Sequence, residues 1–149
     1  MFRIVLVHPE IPQNAGGIGR LCVDSGNELV LIRPLGFSLD DKYVKRAGMD
    51  YWPKVKLKVF DTWEYFLADH GERALYFFST KTKRSFWDCS YEKDAALVFG
   101  SESTGLPKDF YTRYEENLYT IPQPGEFHRS LNLANSVAVA LYEGMRRFR

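Results

Sequence analysis

Five short apolar runs punctuate the chain, at residues 2–7, 29–32, 74–78, 95–99 and 118–121. They are rich in Val, Ile, Phe and Tyr and bounded by Gly, Pro or charge, the pattern of buried β-strands. Between several of them the period lengthens to that of a helix. Residues 14–25 place Ile18, Leu21 and Cys22 on one face and stop at Gly26, a natural C-cap. Residues 61–68 open on Asp61, a good N-cap, and carry Trp63, Tyr65, Phe66 and Leu67. Residues 132–148 repeat apolar side chains at Leu133, Val137, Leu141, Met145 and Phe148, a clean helical stripe. The stretch 34–58 is the least regular and predicts a short helix plus a surface excursion. Alternation of strand and helix predicts an α/β fold, a parallel-sheet α/β/α sandwich. In such sheets a ligand lies beyond the carboxyl ends of the strands. Here those ends follow Val7, Phe78, Phe99 and Ile121.

Two of these ends run into loops of small residues. Residues 97–107 read LVFGSESTGLP, and residues 119–136 run from YTIP through Gly125 to SLNLANS. A strand that stops at Gly and opens such a loop brings backbone N–H and C=O groups close to a ligand. A length of 149 residues predicts a single domain. No apolar run reaches membrane-spanning length and no signal-peptide pattern opens the chain, so the expected location is cytoplasmic and no membrane partner is expected.

Charge excludes little. Twenty basic residues against nineteen acidic give +1, so a nucleic-acid partner does not follow from the total. The cluster Lys81, Lys83 and Arg84 is the most suggestive, because Phe86 and Trp87 beside it are able to stack on bases. Cys22 and Cys89 make neither a disulfide framework nor a metal pattern, and Cys22 reads as a small buried hydrophobe. His8, His70 and His128 show no i, i+4 pairing, so no metal is expected.

Three near-motifs fail on their chemistry. Gly100 and Gly105 have P-loop spacing, but Leu106-Pro107 stands where Lys and Ser or Thr are needed. Gly16, Gly17 and Gly19 have the wrong spacing for a dinucleotide fingerprint, and Pro9 and Pro12 separate them from the first strand. Residues 101–105 approach a nucleophile elbow, with Ser103, Glu126 and His128 in hydrolase order, but Ser101 replaces the first Gly and Pro107 arrives early. A serine hydrolase using Ser103 is the remote alternative.

Taken together, Pro9-Glu10-Ile11-Pro12-Gln13-Asn14-x-Gly16-x-Ile18-x-Arg20-Leu21-Cys22, then Phe99-Gly100-x-Glu102-x-x-Gly105-Leu106-Pro107, then Ile121-Pro122 followed by Ser130-Leu131-Asn132-Leu133-x-Asn135-Ser136-Val137-Ala138 resemble the SpoU (TrmH-like) branch of the SPOUT class, the RNA ribose 2'-O-methyltransferases. Leu35-Gly36-Phe37 and Asp50-Tyr51-Trp52 further resemble the single-domain branch that methylates the wobble nucleotide of tRNA. The likeness covers nearly the whole chain, residues 1–149 as a single SPOUT domain, and with the first strand starting at residue 2 it implies no added RNA-binding domain of the kind larger members carry. It departs at Ser101, Ser103 and Thr104, where that branch often has Pro, Thr and Arg, and at Phe78, where a smaller aliphatic is common.

The resemblance implies a C-terminal trefoil knot, S-adenosylmethionine (AdoMet) as cofactor, tRNA as partner and a homodimer packed through the first and last helices. It implies cofactor contacts at Phe78, Ser79, Thr80, Gly100, Glu102, Gly105, Ile121, Pro122, Ser130, Leu131 and Asn132. It implies catalytic roles for Arg20 and Asn14, and dimer or substrate contacts at Asn135, Tyr142, Lys81 and Arg84. Another tRNA or rRNA site, or a non-catalytic RNA-binding module of the same fold, are the alternatives within it. The chemistry is compatible, because methyl transfer to an oxygen is chiefly a positioning problem. A guanidinium is a poor base, with about one in a million unprotonated at neutral pH. Arg20 is therefore expected to orient a phosphate and stabilise an alkoxide, the proton passing to the substrate phosphate or to an Arg20 whose pKa falls in the complex. Asn14 either caps the first helix or orients Arg20 and the neighbouring subunit, or both. Glu102 is expected to fix loop geometry or pair with Arg20, and Ser130 to cap the last helix as well as meet the cofactor. Asn135 is expected as a polar interior contact.

Overall fold

A computed structural model of the chain describes residues 1–126 and 129–149. Its centre is a six-stranded, wholly parallel sheet of order β3-β2-β1-β5-β4-β6. The strands are β1 (Arg3–Val7), β2 (Glu28–Ile32), β3 (Leu57–Phe60), β4 (Leu75–Phe78), β5 (Ala96–Phe99) and β6 (Leu118–Tyr119). The helices are α1 (Pro12–Ser25), α2 (Lys42–Gly48), α3 (Trp63–His70), α4 (Phe110–Arg113) and α5 (Leu133–Arg146). Short 3₁₀ turns span Met49–Lys54, Phe86–Asp88 and Glu115–Asn117.

Alternate residues along each strand feed two cores. Ile4, Leu6, Leu29, Leu31, Leu97 and Phe99 meet Ile18 and Cys22 of α1 and Val137, Ala140 and Leu141 of α5. On the other face Val5, Val7, Val30, Ile32, Phe77 and Val98 meet Trp63 and Phe66 of α3 and Phe110 of α4. All five residues of β1 are buried, as a sheet covered on both faces requires. The expected α/β/α sandwich is present. Cys22 and Cys89 are both free and lie in the first core, where burial pushes each thiol up to about 12.

Three local expectations need correction. The irregular stretch hides β3, an edge strand whose alternation with Lys56 and Lys58 breaks any apolar run. Asp61 does not cap α3: the Thr62 hydroxyl accepts from the Tyr65 amide at 3.1 Å, while Asp61 pairs with Arg33 at 3.2 Å. Phe86 is 3% exposed and packs in the first core, so it offers no ring to a base; Trp87 beside it is 63% exposed.

Strands β1, β2 and β3 step outward to one side. The chain then crosses to β4, returns to β5 beside β1, and ends beyond β4 at β6. The order therefore reverses between β1 and β5, which puts a switch point at the middle of the carboxyl edge.

The amino edge carries a charge cluster. Arg3 is 2% exposed and donates to Glu28 Oε2 at 3.1 Å and to Asp69 Oδ2 at 2.7 Å. Its third contact is His70 Nδ1 at 3.3 Å, while His70 Nε2 meets the Ala74 carbonyl at 3.1 Å. This pattern requires a neutral imidazole that accepts from Arg3 and donates to Ala74. Burial first, then the charges of Arg73 and Arg3, hold the His70 pKa below 6.5. The unfolded chain takes up that proton at a higher pH than the folded one, so this contribution is full above pH 6.5 and is lost as pH falls below it. The melting temperature is expected to drop between about pH 7 and about pH 5, and His70→Gln to flatten that drop. Thermal unfolding across that range checks it; equal slopes would contradict it.

Candidate active site

A cleft of about 330 Å³ opens at the carboxyl edge, beside the switch point. It is lined by residues 78–81 after β4, 99–105 after β5, Thr120, Ile121 and Gln123 after β6, and Ser130–Leu133 with Ser136 at the start of α5. Ile11 and Asn14 enter from the start of α1. Its volume lies in the usual range for small-molecule sites, about 300–1,000 Å³.

The loop after β5 is a tight turn closed on itself. Ser101 and Gly105 exchange backbone hydrogen bonds at 3.1 and 3.0 Å, and the Ser101 and Thr104 hydroxyls meet at 2.7 Å. Gly105 has φ +75°, in the left-handed region. A Cβ on Gly100 would stand 2.1 Å from the Gly105 carbonyl carbon and 2.2 Å from the Leu106 nitrogen, so only glycine closes the turn. The Lys81 ammonium reaches across to the Thr104 carbonyl at 3.2 Å. The Ser79 hydroxyl accepts from the Lys81 amide at 3.0 Å and contacts Tyr111 Oη at 2.8 Å.

Glu102 ties this turn to the rest of the cleft. Its carboxylate accepts from the Glu10 and Ile11 amides, both at 2.8 Å, and from Asn14 Nδ2 at 3.2 Å. Ile11, the N-cap of α1, has no side-chain acceptor, so Glu102 places the anion at that helix start. Asn14 is buried in the first turn of α1, behind Pro12, and does not cap it. Instead its Oδ1 accepts from Asn132 Nδ2 at 3.1 Å. Asn132, not Ser130, caps α5, accepting from the Ala134 and Asn135 amides at 2.9 and 3.3 Å. Segments far apart in the chain thus meet through Glu102, Asn14 and Asn132.

Of the residues expected to bind a cofactor, Phe78, Ser79, Thr80, Gly100, Glu102, Gly105, Ile121, Ser130, Leu131 and Asn132 all line the cleft, with Phe78 and Phe99 stacked 5.0 Å apart. Pro122 lies between two lining residues and does not line it. Lys81, expected at a substrate or dimer contact, does line it. Arg20 does not: it is exposed on α1 with its guanidinium 5.5 Å from the Tyr51 ring centroid. Arg84 donates to the Glu116 carbonyl and lies over the Tyr119 ring at 5.6 Å, outside the cleft. Asn135 is exposed rather than interior, and Tyr142 is 50% exposed on α5. Thr120, Gln123, Leu133 and Ser136 were not expected; Ser136 lies four residues from Asn132, a helical spacing that marks the same face.

The hydrolase alternative fails on geometry. The Ser103 hydroxyl donates to Glu10 Oε1 at 2.6 Å, and the next helix begins only at Phe110, so the strand–nucleophile–helix elbow is absent. His128, its expected base, lies outside the described residues. Among the described residues no three of His, Cys, Asp and Glu gather where they would hold a metal ion.

A model of the SpoU rRNA Methylase family matches residues 1–142. The chain belongs to this family. A family relative, the tRNA (cytidine(34)-2'-O)-methyltransferase of Methylovorus glucosotrophus, is 41% identical over 148 residues, covering 99% of this chain and 96% of its own. A structure solved for insight into the 2-OH methylation of C/U34 on tRNA superposes with TM-score 0.93 at 42% identity, over 99% of this chain and 95% of that one. An AdoMet-bound rRNA methyltransferase from Sinorhizobium meliloti shares the fold at TM-score 0.87 and 22% identity, over 99% of this chain and 57% of that one.

The closed turn gives a direct test. Gly100→Ala forces the backbone apart and is expected to cost about 2 kcal/mol or more. Amide exchange at Ser101 and Gly105 should quicken well beyond that in the central strands. Unchanged exchange there would refute the tight approach.

Proposed function

We propose that the chain transfers a methyl group from AdoMet to the ribose 2'-OH of the wobble nucleotide, a cytidine or modified uridine, in the tRNA anticodon loop. The observation that carries this reading is the match, over 99% of this chain, to a C/U34 methylation structure, with Asn14, Gly100, Glu102, Gly105, Ile121 and residues 130–132 gathered in one cleft.

The lining fits AdoMet. Phe78, Phe99, Ile121, Leu131 and Leu133 supply apolar surface for an adenine. Main-chain groups of the residue 100–105 turn and of residues 120–123 supply donors and acceptors in a fixed array. Ser79, Thr80, Ser130 and Asn132 supply hydroxyls and amides for the sugar and amino-acid ends. When bound, AdoMet supplies a methyl carbon on a cationic sulfur, which becomes a neutral thioether as the carbon passes to the sugar oxygen. The protein's part is alignment and exclusion of water, which accounts for most of what such a transfer needs. Lys81 sets an ammonium at the rim, where an RNA phosphate is the matching charge.

Asn14 and Arg20 share α1, Asn14 inside the cleft and Arg20 outside it. In this reading Arg20 holds the RNA phosphate and steadies the 2'-oxygen as its proton passes to that phosphate or to Arg20 itself. A homodimer packed through α1 and α5 completes the site. Asn135, Val139 and Tyr142 form an exposed stripe on α5 that supports such packing, with Val139 43% and Tyr142 50% exposed. The reading includes one SPOUT domain over residues 1–149, the family's C-terminal trefoil knot, and action on the cytoplasmic tRNA pool. Among the described residues no helix is long and apolar enough to cross a membrane.

Labelled AdoMet with total RNA, followed by mass spectrometry of tRNA fragments, is expected to place the methyl on the residue-34 ribose. Label confined to ribosomal RNA would overturn the substrate, and calorimetry showing no AdoMet binding would overturn the cofactor. Arg20→Ala is expected to lower kcat by about 100-fold or more while AdoMet affinity changes little, since the lost contact lies with the RNA. Full methylation by that variant would overturn the role given to Arg20, whereas a biological effect left intact without methylation would favour a non-catalytic RNA-binding module of the same fold.

A further inference from the structure

Glu10 does not line the cleft, yet it grips the turn that does. Its Oε1 accepts from the Ser103 amide at 2.9 Å and from the Ser103 hydroxyl at 2.6 Å. In return Glu102 accepts from the Glu10 and Ile11 amides. Two loops, 93 residues apart at Glu10 and Ser103, therefore each lend a carboxylate to the other's main chain. Ser103 and Thr104 are exposed, so packing does not hold the tip of the turn. Its remaining bonds are internal or come from Lys81.

We propose that Glu10 is a positioning residue that fixes the residue 101–105 turn against the start of α1 and so keeps one wall of the AdoMet cleft preformed. The inference rests on the AdoMet reading of that cleft. A charged acceptor with two donors is the strong kind of hydrogen-bonded contact. A wall already ordered spares the ligand the cost of ordering it. The Ser103 hydroxyl, and then its amide, also hold the Glu10 carboxyl below the ordinary glutamate range, so the grip persists through neutral pH.

The test uses the full chain with Glu10→Ala, Ser103→Ala, the double variant and Ser103→Thr. Each alanine variant is expected to weaken AdoMet binding by about fivefold to tenfold in calorimetry. The double variant should be no weaker than the poorer single, because both remove one contact. Ser103→Thr keeps both donors and should recover most of the loss. Amide exchange at residues 102–105 of the free protein should quicken in Glu10→Ala, with the melting temperature nearly unchanged because Glu10 is exposed. In methylation the KM for AdoMet should rise while kcat at saturation is kept. Unchanged affinity and exchange in Glu10→Ala, or additive losses in the double variant, would overturn the proposal. A wild-type chain that binds no AdoMet would instead sink the cofactor reading, and exchange in the free protein would still decide whether Glu10 holds the turn.

Discussion

The pairing of β1 with β5 is the constraint from which the rest of the molecule follows. These strands lie side by side in parallel, with Leu6 opposite Phe99. Their carboxyl ends therefore release two loops into the same small volume, although nearly a hundred residues separate them. Burial on both faces locks the register, because a slip of one residue would turn both core sets toward the wrong layer. The precision of the site is thus inherited from apolar strand packing, and the polar bonds at the rim only finish it.

Stability and function occupy opposite edges of that sheet. At the amino edge Arg3 holds β1, β2 and α3 together through Glu28, Asp69 and His70. Such a buried cation is well tolerated only when its partners are present, because a partner removed leaves charge uncompensated away from water. At the carboxyl edge the bonds join loops rather than core elements, and many lie near solvent. Bonds there are suited to ordering a ligand site, while the cores beneath carry the weight of folding.

Much of this was legible in the residues. Apolar runs located five strands because strands covered on both faces carry continuous hydrophobic stretches. The sixth, β3, escaped because an edge strand needs only one apolar face, and its Lys58, close behind Lys56, looked like a loop. Ten of eleven expected cofactor contacts fell in one cleft, since strand-end position is readable from pattern and the topology brings those ends together. What was not legible was who bonds to whom. Asn14 looked like a cap because helix starts are judged locally, whereas Pro12 begins the helix earlier and the Asn14 side chain donates instead to Glu102, 88 residues away. Phe86 looked available beside Trp87 until a short turn sent one ring inward and the other out. The place of Arg20 outside the cleft likewise depends on helix rotation, which spacing alone did not settle.

The two thiols carry a practical corollary. Cys22 and Cys89 are the whole cysteine complement, both are buried, and both stay protonated far above neutral pH. Maleimide-type reagents require an accessible thiolate and find no native handle on the folded chain. A single cysteine engineered onto an exposed position would then be the sole attachment point for a fluorophore or spin label, with no need to rebuild the first core around a cysteine-free background.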